Sequence, residues 1–347
     1  MKRRHLTVEQ QSWKLENEFR ISRGARTQAD VIVVTINEEN FVGKAEVAPT
    51  PHYNETIESV MAQLSAIKPN IESGLSIGAL NLLLSPGAAR NALDCALWDL
   101  KARKEGSSVA ELTHTNPFEA CETAQTISVG SIDDMAKAAT EIREYPLIKV
   151  KFDAEDVVEK MRAIAKAAPT SRFILDANEA WTLEQLNQFA DQLIDCNIAL
   201  LEQPLPSSDD SGLIGYTGKI PLCADESVHT CKDLDHVSKL YHYINIKLDK
   251  TGGLTEALKL LHQAKNNKIG IMIGCMVGTS LAMAPAALLA HYAEFVDLDG
   301  PTLLCKDREL GFKYKNGKME KSEPELWGGP YKPAHADRSY RYFHNGR

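Results

Sequence analysis

Hydrophobic positions alternate with polar ones over roughly the first fifty residues. Gln11 to Ile21, Val31 to Ile36 and Phe41 to Val47 predict a β-meander whose last turn is Asn37 to Asn40. A helical period then takes over. Ser85-Pro86-Gly87 offers an N-cap and a proline at the first helical position, and Ala92, Leu93, Ala96, Leu97 and Leu100 follow on one helix face. Residues 1–118 therefore predict one α+β unit.

From Cys121 onward, short apolar strands alternate with amphipathic helices, the sign of parallel β/α units. Eight strands are predicted: Thr123 to Val129, Leu147 to Phe152, Arg172 to Ala177, Ala199 to Gln203, Pro221 to Asp225, Tyr243 to Leu248, Gly270 to Cys275 and Phe295 to Leu298. Residues near their ends, Lys151, Asp176, Glu202, Asp225, Lys247, Gly274 and Asp297, recur at steps of 25, 26, 23, 22, 27 and 23 residues. Each step spans a strand, a loop, a helix and a return loop, with no repeat in residue identity. Eight such units close into a barrel over 119–305, and all C-terminal strand ends meet at one mouth. Residues 306–347 predict a hairpin around Asn316-Gly317 that rejoins the first unit, then a tail, Gly328 to Arg347, without legible chemistry.

Composition narrows the class. Thirty-nine Lys and Arg against 47 Asp and Glu leave a net charge of −8, which argues against nucleic acid as a partner. Seven scattered cysteines without a Cys-x-x-Cys pair suit the reduced thiols of a cytoplasm. The basic start Met1-Lys2-Arg3-Arg4 runs into polar residues between His5 and Glu18, so no export signal is read. Ile269 to Ala290 carries no charge for 22 residues, yet Gly270, Gly274, Gly278, Thr279, Ser280 and Pro285 divide it into a strand, a turn and a buried helix. No membrane partner is expected, and a homo-oligomer is compatible with this composition.

The chemistry lies at the strand ends. Asp176, Glu202 and Asp225 end three consecutive strands, and three carboxylates in one mouth need a cation; an all-oxygen set calls for a hard ion, Mg²⁺. Lys149 and Lys151 share one face of their strand, which becomes the barrel interior once helices cover the outside. Lys247 lies four strands further round, so Lys151 and Lys247 face each other across the mouth. Two such amines can take a proton from one face of a carbon and return it to the other, if burial and nearby cations lower a lysine pKa toward neutrality. Lys149 and the metal supply the positive field, and a metal-held carboxylate stabilises the enediolate. Asp297 and Asp299 share a face of the last strand and form an anionic pocket that suits a substrate ammonium.

With Lys149-Val150-Lys151, Asp176-Ala177-Asn178, Glu202-Gln203-Pro204, Ala224-Asp225-Glu226-Ser227 and Lys247-Leu248-Asp249-Lys250-Thr251-Gly252-Gly253, the chain resembles the muconate-lactonizing-enzyme subgroup of the enolase superfamily over about residues 15–310. The resemblance implies a modified TIM barrel, (β/α)7β, with an α+β capping domain built from both chain ends. The His-x-Asp base of mandelate racemases is absent; the seventh strand offers Gly274-Cys275. Asp297-Leu298-Asp299-Gly300-Pro301 resembles the segment with which dipeptide epimerases receive an N-terminal ammonium. Arg23 matches by position the cap-loop arginine that holds a Glu side chain in such enzymes, with Arg26 as its neighbour. The implied activity is Mg²⁺-dependent epimerisation of L-Ala-D/L-Glu, a small-molecule dipeptide of murein metabolism, in the cytoplasm. Rival readings are N-acylamino acid racemisation or o-succinylbenzoate synthesis, whose substrates lack the ammonium, and a non-catalytic peptide-binding barrel.

Overall fold

The computed structural model describes residues 4–331; the basic start at Met1 to Arg3 and the tail after Tyr331 lie outside the described residues. Strands β1 (Arg4–Ile21), β2 (Gly24–Glu38) and β3 (Phe41–Val47) form an antiparallel meander, with the first two much longer than the sequence pattern predicts. Their alternation buries Leu6, Ile32, Val34, Ile36, Ala45 and Val47 on one face against helices α1 (Ile57–Glu72), α2 (Ile77–Leu83) and α3 (Ala88–Glu105). Helix α3 begins later than Ser85-Pro86 predicts, because Glu55 Oε1 accepts the Ala88 N–H at 2.7 Å and Gly87, at φ 140°, takes the cap position. A short helix α4 (Val109–Thr113) closes this cap.

A two-residue strand β4 (Cys121–Glu122) precedes eight parallel strands: β5 (Gln125–Ile127), β6 (Leu147–Lys151), β7 (Arg172–Asp176), β8 (Ile198–Glu202), β9 (Leu222–Ala224), β10 (Tyr243–Ile246), β11 (Gly270–Gly274) and β12 (Phe295–Asp297). They pair in sequence order. The seam between β12 and β5 is joined by Ala124 N–H to Val296 O at 2.8 Å and by Leu298 N–H to Thr123 Oγ1 at 3.0 Å, which nearly closes the barrel. Helices α5 (Ile132–Glu141), α6 (Val157–Ala167), α7 (Leu183–Gln192), α8 (Leu234–Val237), α9 (Leu248–Thr251), α10 (Leu254–Asn266) and α11 (Ser280–Ala287) connect the strands. After β8 the connection is two 3-10 turns instead of an α-helix, and after β12 only a 3-10 turn follows. Ile269 to Ala290 resolves into β11, a turn and α11, and no described helix is long and apolar enough to cross a membrane. All seven cysteines are free thiols.

The hairpin β13 (Tyr314–Lys315) and β14 (Lys318–Met319) turns at Asn316 and Gly317, both at positive φ, and pairs with β4 at the barrel seam. The return to the cap comes further on: Trp327 Nε1 donates to Cys95 O at 3.1 Å and Gly328 N–H to Asp99 Oδ1 at 2.9 Å, both on α3.

Helix α3 also meets the barrel. Arg90 Nη2 donates to Thr251 O at 2.6 Å, Arg90 Nε to Gly252 O at 3.0 Å, and Asp94 Oδ1 accepts Thr255 Oγ1 at 2.6 Å. This explains the two glycines of the Lys247 motif. Gly253 adopts φ 112°, and a Cβ there would lie 2.5 Å from Asp94 Cβ. Gly253→Ala is expected to destabilise the protein by about 1–3 kcal/mol in denaturant unfolding. Gly78→Ala, inside α2 and with open space around it, is expected to leave stability unchanged or raise it by up to about 1 kcal/mol.

Candidate active site

Strand alternation sorts the barrel interior into levels. Ala124, Leu147, Ile174, Leu200, Cys223, Met272 and Phe295 form a small buried apolar layer. Two residues further along, the same parity carries polar groups: Lys149, Asp176, Glu202, Asp225, Asn245 and Asp297, with Lys151 and Lys247 beyond them, all buried. The ladder pairs Lys151 with Asp176 and Asp176 with Glu202, so these three lie side by side at the strand ends.

The amines and carboxylates interleave. Lys149 Nζ lies 2.6 Å from Glu202 Oε2, 2.8 Å from Asp297 Oδ2 and 3.1 Å from Asp176 Oδ2. Lys151 Nζ donates to Asp176 Oδ2 at 2.5 Å, and Lys247 Nζ to Asp225 Oδ2 at 2.6 Å. Lys250, quoted in the sequence motif without a role, donates to Asp225 Oδ1 at 2.5 Å and to Asn245 O at 3.0 Å. Asn245 Nδ2 in turn donates to Glu202 Oε1 at 2.8 Å, in a space that Gly274 leaves open, since a Cβ there would lie 2.5 Å from Asn245 Oδ1.

Burial opposes ionisation of every group here, and the neighbours decide each outcome. Burial alone raises the Asp176 and Asp225 carboxyls, yet Lys151 and Lys149 beside the first and Lys247 and Lys250 beside the second hold both below the usual carboxylate range. Burial and the charge of Asp176 push Glu202 up to about 7 despite Lys149. Burial lowers Lys149 and Lys247, but Asp297 and Glu202 around the first and Asp225 around the second outweigh it and raise both. At Lys247 the paired Asp225 carboxylate outweighs burial and sets the direction. Four amines (Lys149, Lys151, Lys247, Lys250) meet five carboxylates (Asp176, Glu202, Asp225, Asp297, Asp299), and Asp297 Oδ1 is left with no hydrogen bond. This anionic, all-oxygen donor set fits a hard divalent cation.

Asp299 stands at the seam. Its Oδ2 accepts the Thr126 N–H at 2.7 Å, and the neighbouring Gln125 is tied to Thr302, Nε2 to Oγ1, at 3.0 Å. Burial and the charge of Asp297 push the Asp299 carboxyl up to about 7. Neither contact is legible in strand patterning. A separate cleft of about 810 Å³ runs outside the seam past Gln125, Thr302 and Tyr314, away from the lysines and carboxylates of the mouth.

The cap reaches the mouth through the turn between β1 and β2. Arg23 Nη1 donates to Asn178 O at 2.9 Å and lies 3.2 Å from Glu179 Oε2, while Nη2 donates to Glu226 Oε1 at 2.8 Å. Arg26 is exposed, with its guanidinium 5.5 Å from the centre of the Phe19 ring. His52 Nε2 lies 2.9 Å from Glu179 Oε2. Among the described residues, His52, Glu179 and Glu226 are a group whose donor atoms lie within 4.8 Å of one another, and Arg23 already pairs with its two acids. Sequence reasoning passed over these acids, although Glu179 and Glu226 follow Asp176 and Asp225 by three residues and one.

Residues 3–113 match the mandelate racemase/muconate lactonizing enzyme N-terminal domain, and residues 132–323 the enolase C-terminal domain-like family. The chain is 45% identical over 316 residues to an N-acetyl-D-glutamate racemase of a Pseudoalteromonas species, covering 90% of this chain and 98% of the relative. It is 43% identical over 318 residues to the L-Ala-D/L-Glu epimerase of Escherichia coli K12, covering 91% and 99%. The crystal structure of an enolase family member from Agrobacterium tumefaciens, with homology to dipeptide epimerases and with bound sodium and L-Ala-L-Glu, superposes with a TM-score of 0.92 at 43% identity, covering 94% of this chain and 100% of that one. A dipeptide epimerase from Enterococcus faecalis in complex with Mg and L-Leu-L-Tyr superposes at 0.87 with 28% identity, covering 95% and 99%.

Removing one partner of a buried ion pair strands the other charge. Lys250→Met is expected to cost about 3–5 kcal/mol in denaturant unfolding, because Asp225 Oδ1 and Asn245 O lose their donor. Lys247→Met, which leaves Lys250 on Asp225, is expected to cost less.

Proposed function

The chain belongs to the mandelate racemase/muconate lactonizing enzyme family of the enolase superfamily, and from that premise we propose that it is a dipeptide epimerase acting on L-Ala-D/L-Glu by 1,1-proton transfer. Asp176, Glu202 and Asp225 would hold Mg²⁺, whose charge would polarise the substrate α-carboxylate and stabilise the enediolate. Lys151 and Lys247 flank the carboxylate cluster from β6 and from the end of β10, and their roles are removal of the α-proton on one face and its return on the other. Lys149, fully buried among three carboxylates, keeps its proton and adds a fixed positive charge beside the reacting carboxylate. Arg23 receives the Glu side chain. On this reading its substrates are murein-derived peptides and its place is the cytoplasm.

The observation that carries the dipeptide reading is the pair Asp297 and Asp299. Both are buried, Asp297 has Lys149 on its Oδ2 at 2.8 Å but no donor on its Oδ1, and the charge of Asp297 helps push Asp299 up to about 7, so a substrate ammonium would supply the second positive charge that the two carboxyls lack. The second reading, N-acetylglutamate racemisation, is favoured by the 45% identity to such an enzyme, and that substrate brings no ammonium to the pair. A catalytically silent barrel would be expected to lack a base or a ligand, and this chain has both lysines and all three acids.

In D₂O with Mg²⁺, L-Ala-L-Glu is expected to take up deuterium at the Glu Cα and epimerise; exchange with N-acetyl-D-glutamate alone would replace this reading by the second. Lys151→Ala and Lys247→Ala are each expected to abolish epimerisation while the surviving lysine still exchanges the α-proton of one epimer. Asp297→Asn is expected to lower kcat/KM for the dipeptide on the order of 100-fold, about the worth of a buried charge-assisted hydrogen bond. Because the raised Asp299 carboxyl takes up a proton as pH falls through about 7, KM for the dipeptide should rise below that pH, and Asp299→Asn should flatten the dependence.

A further inference from the structure

Arg23 enters the mouth already paired. Glu226 accepts from Nη2 at 2.8 Å with a side chain that is only 1% exposed, and Glu179 lies 3.2 Å from Nη1. Neither acid is there by chance of rotamer. Asn178 and Glu179 both take positive φ, 44° and 68°, a conformation that costs a non-glycine residue energy and persists only where its surroundings hold it. The Glu179 N–H donates to Gln203 O at 2.9 Å, and its Oε1 accepts the Ser207 N–H at 2.7 Å, which turns Oε2 toward Arg23 and His52. Glu179 is thus a fixed counter-ion, held by the barrel loops after β7 and β8 and aimed at a cap residue. The Arg23 side chain remains 31% exposed and open to a ligand.

Resting on the reading of Arg23 as the receptor of the substrate's side-chain carboxylate, we propose that Glu179 is a specificity-determining residue: it competes with that carboxylate for the guanidinium and thereby limits the preference for an acidic second residue over a neutral one of the same shape. A second carboxylate brought to Arg23 must share it with Glu179 and Glu226 and bears repulsion from both. A neutral amide feels little of that repulsion. Glu179→Gln removes one built-in charge while keeping an oxygen that can accept the Ser207 N–H.

The measurement is the ratio of kcat/KM for L-Ala-L-Glu to that for L-Ala-L-Gln, with the full-length protein at fixed Mg²⁺. In Glu179→Gln the ratio is expected to rise about three- to tenfold, the effect of one like charge a few ångströms away in a partly exposed site, with the change in KM. In an Arg23→Gln background the same substitution should move the ratio less than in the single variant, since only the direct repulsion between the two carboxylates is left to relieve and the competition for the guanidinium is gone. A ratio that stays level or falls in the single variant would show that Glu179 orients Arg23 for the carboxylate instead of competing with it, and would overturn the inference alone. Wild-type protein that turns over neither dipeptide would overturn it together with the function it rests on.

Discussion

A carboxylate enters a protein interior only in the company of positive charge, and the mouth of this barrel is organised around that constraint. Asp176, Glu202 and Asp225 are among its least exposed residues, and each is met by an amine from another strand. The pairing places the amines as firmly as it neutralises the acids. Lys149 lies among three carboxylates because three strands present one each at its height, and Lys247 is held against Asp225 by the same logic. Lysines and carboxylates are therefore positioned by one another.

The cap contributes in two ways. Helix α3 locks the loop after Lys247 through Arg90 and Asp94, so the height of that lysine depends on a helix outside the barrel. The turn between β1 and β2 sends Arg23 onto loops of the barrel. One contact steadies the loop after Lys247 and the other sets Arg23 at the mouth. They use different elements, which lets the second vary while the first is kept.

Much of this was legible in the sequence because strand parity is strict. Lys149 and Lys151, or Asp297 and Asp299, can share a face only if both positions point the same way, and the regular step from Lys151 to Asp297 places their strands in order. The cap strands read too short in the sequence because the start of β2, Gly24 to Asp30, holds no large apolar residue, and only Leu6 and Val8 mark the alternation at the start of β1. The start of α3 was missed because its cap comes from Glu55, far away in sequence. Lys250 as a second amine on Asp225, and the acids on Arg23, are not legible for a similar reason: their partners come from other segments of the barrel mouth, and such contacts leave no period.

The barrel seam binds two requirements together. Asp299 accepts the Thr126 N–H across the join between the first and last strands, and the same side chain faces the place proposed for the ligand's amine. A descendant of this enzyme that abandons charged amines could not simply delete the acid, for the amide across the join would lose its acceptor. Asparagine satisfies the join without the charge, whereas glycine or leucine would open it. Drift toward acylated substrates should therefore pass first through position 297, whose loss leaves the join intact.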